Sequence, residues 1–214
     1  MKALLVNGSP NQKGNTYVAL RAAADALEAE GVEAEIYQIP AGPVRGCAAC
    51  GVCKTNGGNR CAFDGDAVNA ILDKMEGADA LIIGSPVYYA SPNGQLLSVL
   101  DRVFFAGAAG AAFAGKPGAA VCAARRGGAT ATLDALQKYF PISGMPIVPA
   151  TYWPMVHGGA PGEAIRDEEG VQAAQMVGKT TAWLLKCIEA GRAAGIAYPE
   201  APGGKKVWTN FIRA

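Results

Sequence analysis

A doubly wound, five-stranded parallel α/β sheet is the fold class this sequence predicts, with a cysteine-bearing loop after the second strand. Three observations carry it. Runs that are apolar on nearly every residue recur along the chain, as in Leu4-Leu5-Val6, Leu81-Ile82-Ile83 and Ala119-Ala120-Val121, and such runs mark strands buried on both faces. Longer helical patterns separate them, which is the order of a parallel sheet wound by crossover helices. No low-complexity linker or internal repeat divides the 214 residues, so residues 1–214 read as a single domain. Within it, 45–65 is a cysteine-rich insertion and 196–214 a C-terminal tail.

The expected strands are Ala3 to Asn7, Glu33 to Tyr37, Ala80 to Gly84, Ala119 to Ala123 and Pro146 to Ala150. Between them lie helices at Thr16 to Glu30, Asp66 to Met75, Gly94 to Phe105 and Thr130 to Phe140, with a last long one from about Glu168 to Ala194. In such a sheet ligands sit beyond the carboxyl ends of the strands. The loops after the strands are therefore where function is to be sought.

Composition excludes several classes. Nineteen Lys and Arg against 18 Asp and Glu give a formal charge of +1, and no charged block stands out. That argues against a nucleic-acid binder held by phosphate neutralisation and against a disordered acidic adaptor. The longest apolar run, Val103 to Gly115, falls short of the roughly 20 residues needed to span a bilayer. The start, Met1-Lys2-Ala3-Leu4-Leu5-Val6, has too short an apolar core for a signal peptide. A soluble, cytoplasmic protein is expected, with neither nucleic acid nor membrane as a partner.

The first loop runs Asn7-Gly8-Ser9-Pro10-Asn11-Gln12-Lys13-Gly14-Asn15 and opens a helix at Thr16. Small and hydroxyl residues leave backbone N–H groups free, and the helix start adds the positive end of a dipole. It lacks the Gly-Lys-Ser/Thr of a P-loop and the Gly-x-Gly-x-x-Gly of a dinucleotide site. A single terminal phosphate suits it, and an ordinary helix cap is the plainer alternative. After the third strand come Ser85-Pro86-Val87-Tyr88-Tyr89-Ala90-Ser91-Pro92. Adjacent aromatics held between prolines can wall a planar ring system, or can simply pack on a neighbouring helix. After the fourth strand, Arg125-Arg126-Gly127-Gly128 offers open backbone N–H groups beside two cations, suited to negative charge on a ring edge, or forms a solvated turn.

Six cysteines are present, and Cys47, Cys50, Cys53 and Cys61 fall at x2, x2 and x7 spacing in the loop after strand two. In a reducing compartment such clustering points to metal or redox chemistry before disulfides. Three cysteines at x2 intervals let thiolates converge on one cubane while the fourth reaches back over Gly57-Gly58. Zinc at four thiolates is an alternative, and unmetallated thiols are another. Cys122 and Cys187 read as small buried hydrophobes. His157 lies in a loop after the fifth strand and reads as a packing or surface residue. The apolar tail from Val207 to Arg213 is expected to dock on its own subunit or a partner chain.

Taken together, the loops resemble the flavodoxin-like NAD(P)H-dependent FMN reductase superfamily, and within it the iron-sulfur flavoprotein branch. The resemblance rests on Gly8-Ser9-Pro10 with Asn15-Thr16, on Ser85-Pro86-Val87-Tyr88-Tyr89 followed by Gly94-Gln95-Leu96 and Asp101-Arg102, and on Arg126-Gly127-Gly128. It implies that Ser9, Asn11, Asn15 and Thr16 bind the FMN phosphate, Asn11 standing where family members carry Arg. Pro86, Val87, Tyr88 and Tyr89 border the isoalloxazine, and Gly127 with Gly128 face its pyrimidine edge. It also implies a 4Fe-4S cluster on Cys47, Cys50, Cys53 and Cys61.

The function so implied is an FMN-dependent oxidoreductase that takes a hydride from NAD(P)H and passes electrons to a quinone, a flavin or another small acceptor. The alternative is an iron-sulfur electron carrier relaying single electrons from a ferredoxin-like donor through the cluster to FMN. A zinc-stabilised module without flavin is the non-enzymatic rival. Arg125 and Arg126 are candidates for the 2′-phosphate of NADPH on charge alone, and no acid–base residue is needed for hydride transfer. A homodimer or homotetramer is the assembly the family precedent implies.

Overall fold

The computed structural model describes residues 1–109 and 112–200 together with positions 204, 207 and 209. Five parallel strands, β1 (Lys2–Asn7), β2 (Glu33–Gln38), β3 (Ala80–Tyr88), β5 (Gly118–Ala124) and β6 (Met155–His157), lie in the order β2-β1-β3-β5-β6. A two-residue strand, β4 (Ser91–Pro92), folds back antiparallel on the end of β3. The expected doubly wound sheet is what forms.

Side chains alternate across each strand, and the alternation sorts the core into two layers. Leu4, Val6, Leu81 and Ile83 face one side, packed with Ile71 of α3 (Ala67–Glu76), Val99 and Val103 of α4 (Gly94–Ala109) and Leu133 of α5 (Ala129–Gln137). Leu5, Ile82 and Val121 face the other, against Leu20 of α1 (Asn15–Ala29) and Val177 of α7 (Glu168–Ala193). Short helices α2 (Val52–Thr55) and α6 (Tyr139–Ile142) and a 3-10 turn at Glu163–Arg166 complete the described elements. The two helices of the second layer approach through small residues: a Cβ on Gly178 would lie 2.2 Å from the Ala23 carbonyl oxygen.

Four expectations are corrected. The fifth strand is Met155–His157, not Pro146 to Ala150, which contributes only an isolated bridge from Ile147 to Gly118. His157 accordingly ends that strand instead of lying in a loop after it. Cys122 is fully buried as expected, but Cys187 is exposed on the outer side of α7. The helix expected at Thr130 to Phe140 is two pieces, α5 and α6. Most of the apolar tail, including Trp208, Phe211 and Ile212, lies outside the described residues. Among the described residues no helix is long and apolar enough to cross a membrane.

Candidate flavin and cysteine sites

The five longer helices differ in how they begin. Asp66 caps α3 through Val68 N at 3.1 Å, Asn93 accepts from Gln95 N at 3.0 Å at the head of α4, and Asp167 caps α7 through Gly170 N at 3.0 Å. In contrast, α1 and α5 begin at Gly14 and Gly128 with no side-chain cap. Their first-turn N–H groups have no intrahelical acceptor, so two positive helix ends are left free at the carboxyl edges of β1 and β5. An anion or an electron-rich ring edge is the natural partner for such ends. The plainer reading of the first loop as a capped helix start therefore does not describe it.

The loop before α1 is held rigid by side chains beneath it. Asn7 Oδ1 accepts from Ser9 N at 3.1 Å, and its amide donates to Gln38 Oε1 at 2.7 Å. Gln38 Nε2 in turn donates to the Ser9 carbonyl at 2.8 Å. Ser9 Oγ accepts from Asn11 N at 3.1 Å. Buried Asn93 joins this loop to the next by donating to the Gly8 carbonyl at 2.8 Å while its own N–H donates to Ser85 Oγ at 3.0 Å. Ser9 and Thr16 are buried at the base of the loop, whereas Asn11 is exposed on its rim. Asn15 Oδ1 accepts from Ala164 N at 3.0 Å, so only its side-chain N–H groups remain for a ligand.

Across the crevice, β3 and β4 form a tight hairpin whose central residues Tyr89 and Ala90 have φ of 51° and 57°. Both sit in the left-handed region that suits a two-residue hairpin turn but that side-chain-bearing residues seldom adopt. The Tyr89 ring stands free, with relative exposure of 104%, and Tyr88 is also exposed. Gly128, at φ 90°, lies under this turn: a Cβ there would come 2.7 Å from Ala90 Cα and 3.0 Å from Val87 Cγ1. Nothing lies within 4 Å of a Cβ built on Gly127. The structure thus joins Val87 and the Tyr88–Tyr89 turn to the Gly127–Gly128 loop. Arg125 and Arg126 are exposed beside it, and the Arg125 stem lies near Gly159 of the segment that meets Asn15.

The four clustered cysteines line one concavity together with Phe63, Arg102 and Phe105. Cys53 is buried, Cys61 half-buried, and Cys47 and Cys50 exposed. Burial, with smaller contributions from the neighbouring Cys61, Cys47 and Cys50, pushes the Cys53 thiol above the ordinary range. Asn69 fixes Cys61 by accepting from its N–H at 2.8 Å and donating to its carbonyl at 3.1 Å. No three His, Cys, Asp or Glu side chains among the described residues gather tightly enough to hold a single metal ion. Four thiols that line one concavity without converging on a point are compatible with a cluster, in which each cysteine ligates its own iron and the sulfurs stand apart around a core.

Arg102 was legible in sequence only as part of a dipeptide, and its place in this site was missed. It occupies the apolar stripe of α4 formed by Val99, Val103 and Ala106, and its side chain is 1% exposed. Its Nε–H donates to Cys61 Sγ at 3.4 Å and its terminal nitrogens to Phe63 O at 2.7 Å, to Arg45 O at 3.4 Å and to Asp66. Burial works against its charge, but Asp66 and Cys61 outweigh that and hold the guanidinium above its ordinary range. A cation on a buried helical stripe was the available signal. Asn69 and Asn93 gave no comparable one.

Comparison with known proteins places the chain in a family and a fold. The family described as NADPH-dependent FMN reductase matches residues 1–160. An iron-sulfur flavoprotein of Methanocaldococcus jannaschii is 34% identical over 197 residues, covering 88% of this chain and 100% of that protein. One of Methanosarcina thermophila is 31% identical over 150 residues, covering 69% of this chain and 77% of that protein. Among solved structures, a WrbA-like flavodoxin of Agrobacterium tumefaciens superposes with a TM-score of 0.60 at 17% identity, over 87% of this chain and 97% of that one. An archaeal flavodoxin gives 0.57 at 16% identity, over 87% and 99%.

Proposed function

Because this chain belongs to the NADPH-dependent FMN reductase family, and to its iron-sulfur flavoprotein branch, we propose that it is an FMN-dependent oxidoreductase drawing on NADPH or NADH. The observation that carries the reading is the pair of uncapped helix starts, α1 and α5, opening at the carboxyl edge of the sheet beside an exposed Tyr88–Tyr89 turn. These residues fit a flavin mononucleotide. The α1 N–H groups, Ser9 and Thr16 at the base of the loop, the Asn11 side chain and the remaining Asn15 amide hydrogens hold its phosphate. Pro86, Val87, Tyr88 and Tyr89 border its ring, and the Gly127–Gly128 backbone meets its pyrimidine edge.

Bound there, FMN supplies hydride acceptance and one- or two-electron release. The protein supplies orientation and electrostatics. The N–H groups near Gly127 and Gly128 and the positive end of α5 favour added negative charge on the ring edge, which raises the tendency to be reduced. Tyr89 would border the ring from a two-residue turn. Positioning of donor and acceptor in succession is sufficient, so no general acid or base is assigned. Arg125 and Arg126 receive the donor's 2′-phosphate, and the electrons pass to a small oxidant such as a quinone or free flavin.

A second reading is favoured by the cysteine concavity: Cys47, Cys50, Cys53 and Cys61 would hold a 4Fe-4S cluster, which would supply single-electron exchange with the flavin and with a ferredoxin-like protein. The two readings share the flavin and differ in the donor. Anaerobic mixing of FMN-loaded protein with NADPH or NADH tests them. Bleaching of the flavin band faster than in a buffer control supports the nicotinamide donor. Equal rates in both exclude it and leave the carrier.

A further inference from the structure

We propose that Arg102 is the positioning residue of the cysteine site, closing the loop around the sulfurs and setting the potential at which the bound cluster takes an electron. The inference rests on the cluster reading above and assigns a role to a residue outside the four ligands. Its basis is a single side chain that reaches both ends of the loop. From the middle of α4, the guanidinium donates to Arg45 O just before Cys47 and to Phe63 O just after Cys61, while Nε–H donates to Cys61 Sγ. Asp66 takes a further N–H and provides one negative charge.

Four contacts on a planar five-donor group leave little freedom, and a lysine cannot reproduce them from one point charge. Arg102 lies on a rigid sixteen-residue helix, so the loop is referred to the scaffold and not merely to itself. The side chain is shut off from solvent, and the cation there is matched by Asp66, with Cys61 Sγ as a further acceptor. An N–H aimed at a ligating sulfur draws electron density from it and favours the more reduced, more negative cluster. Arg45 and Lys54, stacked over Phe63 and Phe105 at 4.0 and 4.9 Å, add exposed positive charge around the same concavity.

The test uses the full chain isolated and reconstituted without oxygen. Wild type is assayed first for iron, sulfide and FMN. Arg102→Gln and Arg102→Lys then follow, each titrated electrochemically with the reduced cluster observed by electron paramagnetic resonance. The expected result is a shift of the cluster to more negative potential in Arg102→Gln, and roughly tenfold faster iron loss to a chelator, as for removal of an outer partner of a metal ligand. FMN content stays at the wild-type level, because the flavin loops are separate. Arg102→Lys keeps the charge and shows the smaller shift. If Arg102→Gln fails to fold, Arg102→Lys carries the test alone through its potential and its iron loss. Variants that hold full iron at the wild-type potential and release it at the wild-type rate overturn the proposal. Wild type that takes up no iron overturns the cluster reading itself, before any variant is compared.

Discussion

Gly128 packs directly beneath Ala90, so the third loop touches the hairpin of the second through backbone, with 2.7 Å between Ala90 Cα and the place a Cβ on Gly128 would occupy. Gly128→Ala must therefore part the two loops and also hold an alanine at φ 90°. A loss of about 1–3 kcal/mol in unfolding free energy is expected from the backbone alone. Gly127→Ala meets open space and leaves the stability of the flavin-free protein unchanged. Because its methyl enters the space assigned to the ring edge, it weakens FMN. Thermal unfolding without flavin and FMN titration of both variants separate the two effects.

Tyr89 and Ala90 occupy left-handed positions where Asn and Gly are the common pair. The double substitution Tyr89→Asn with Ala90→Gly is expected to raise the unfolding free energy by about 1 kcal/mol. The same change removes the exposed ring and weakens FMN. Tighter FMN binding in the relaxed variant would show that Tyr89 does not border the flavin.

Asp167 accepts from Gly170 N at 3.0 Å and from His157 N at 2.7 Å, with His157 Nδ1 at 3.2 Å. Partial burial opposes its ionisation, but these bonds prevail and hold it below its ordinary 3.8. A carboxylate with a depressed folded value adds stability above 3.8 and loses it as pH falls through the lower folded value. Asp167→Asn keeps a competent cap but no charge, so it is expected to unfold about 0.5–1 kcal/mol more easily at neutral pH. That difference closes in acid below 3.8. Denaturant melts across this range provide the check.

Arg125 and Arg126 are exposed beside the Gly127–Gly128 loop. If they take up the 2′-phosphate, replacing both with Ala lowers the preference for NADPH over NADH by about tenfold, near the strength of a charge-assisted pair. Flavin reduction rates with the two donors measure the ratio. An unchanged ratio removes the assignment.

Most of the sheet was legible because buried parallel strands announce themselves by continuous apolar runs, as Leu81-Ile82-Ile83 does. The last strand did not, for the opposite reason: Met155–His157 is three residues long, ends in an exposed histidine and follows Trp153-Pro154. The more apolar Ile147 and Val148 drew the assignment instead, although only a single bridge forms there. At the site, small residues before a helix revealed the first loop, and the spacing of the four cysteines revealed the second centre. The supports were hidden because they act at long range. Asn93 reaches Gly8 from 85 positions away in the chain, Ala164 N takes the Asn15 Oδ1 and so orients the amide, and Arg102 reaches from a helix to both ends of a loop.

The proposed flavin crevice and the four-thiol concavity lie in one chain, so a cofactor stoichiometry tests both at once. Protein isolated and reconstituted anaerobically is analysed for FMN, iron and acid-labile sulfide, with its visible spectrum taken before and after dithionite. About one FMN with about four irons and four sulfides per chain is expected, with flavin bands over a broad absorption that bleaches on reduction. Full FMN with fewer than about two irons per chain would contradict the cluster. Absence of FMN would overturn the assignment of the α1 and α5 helix starts as a flavin site.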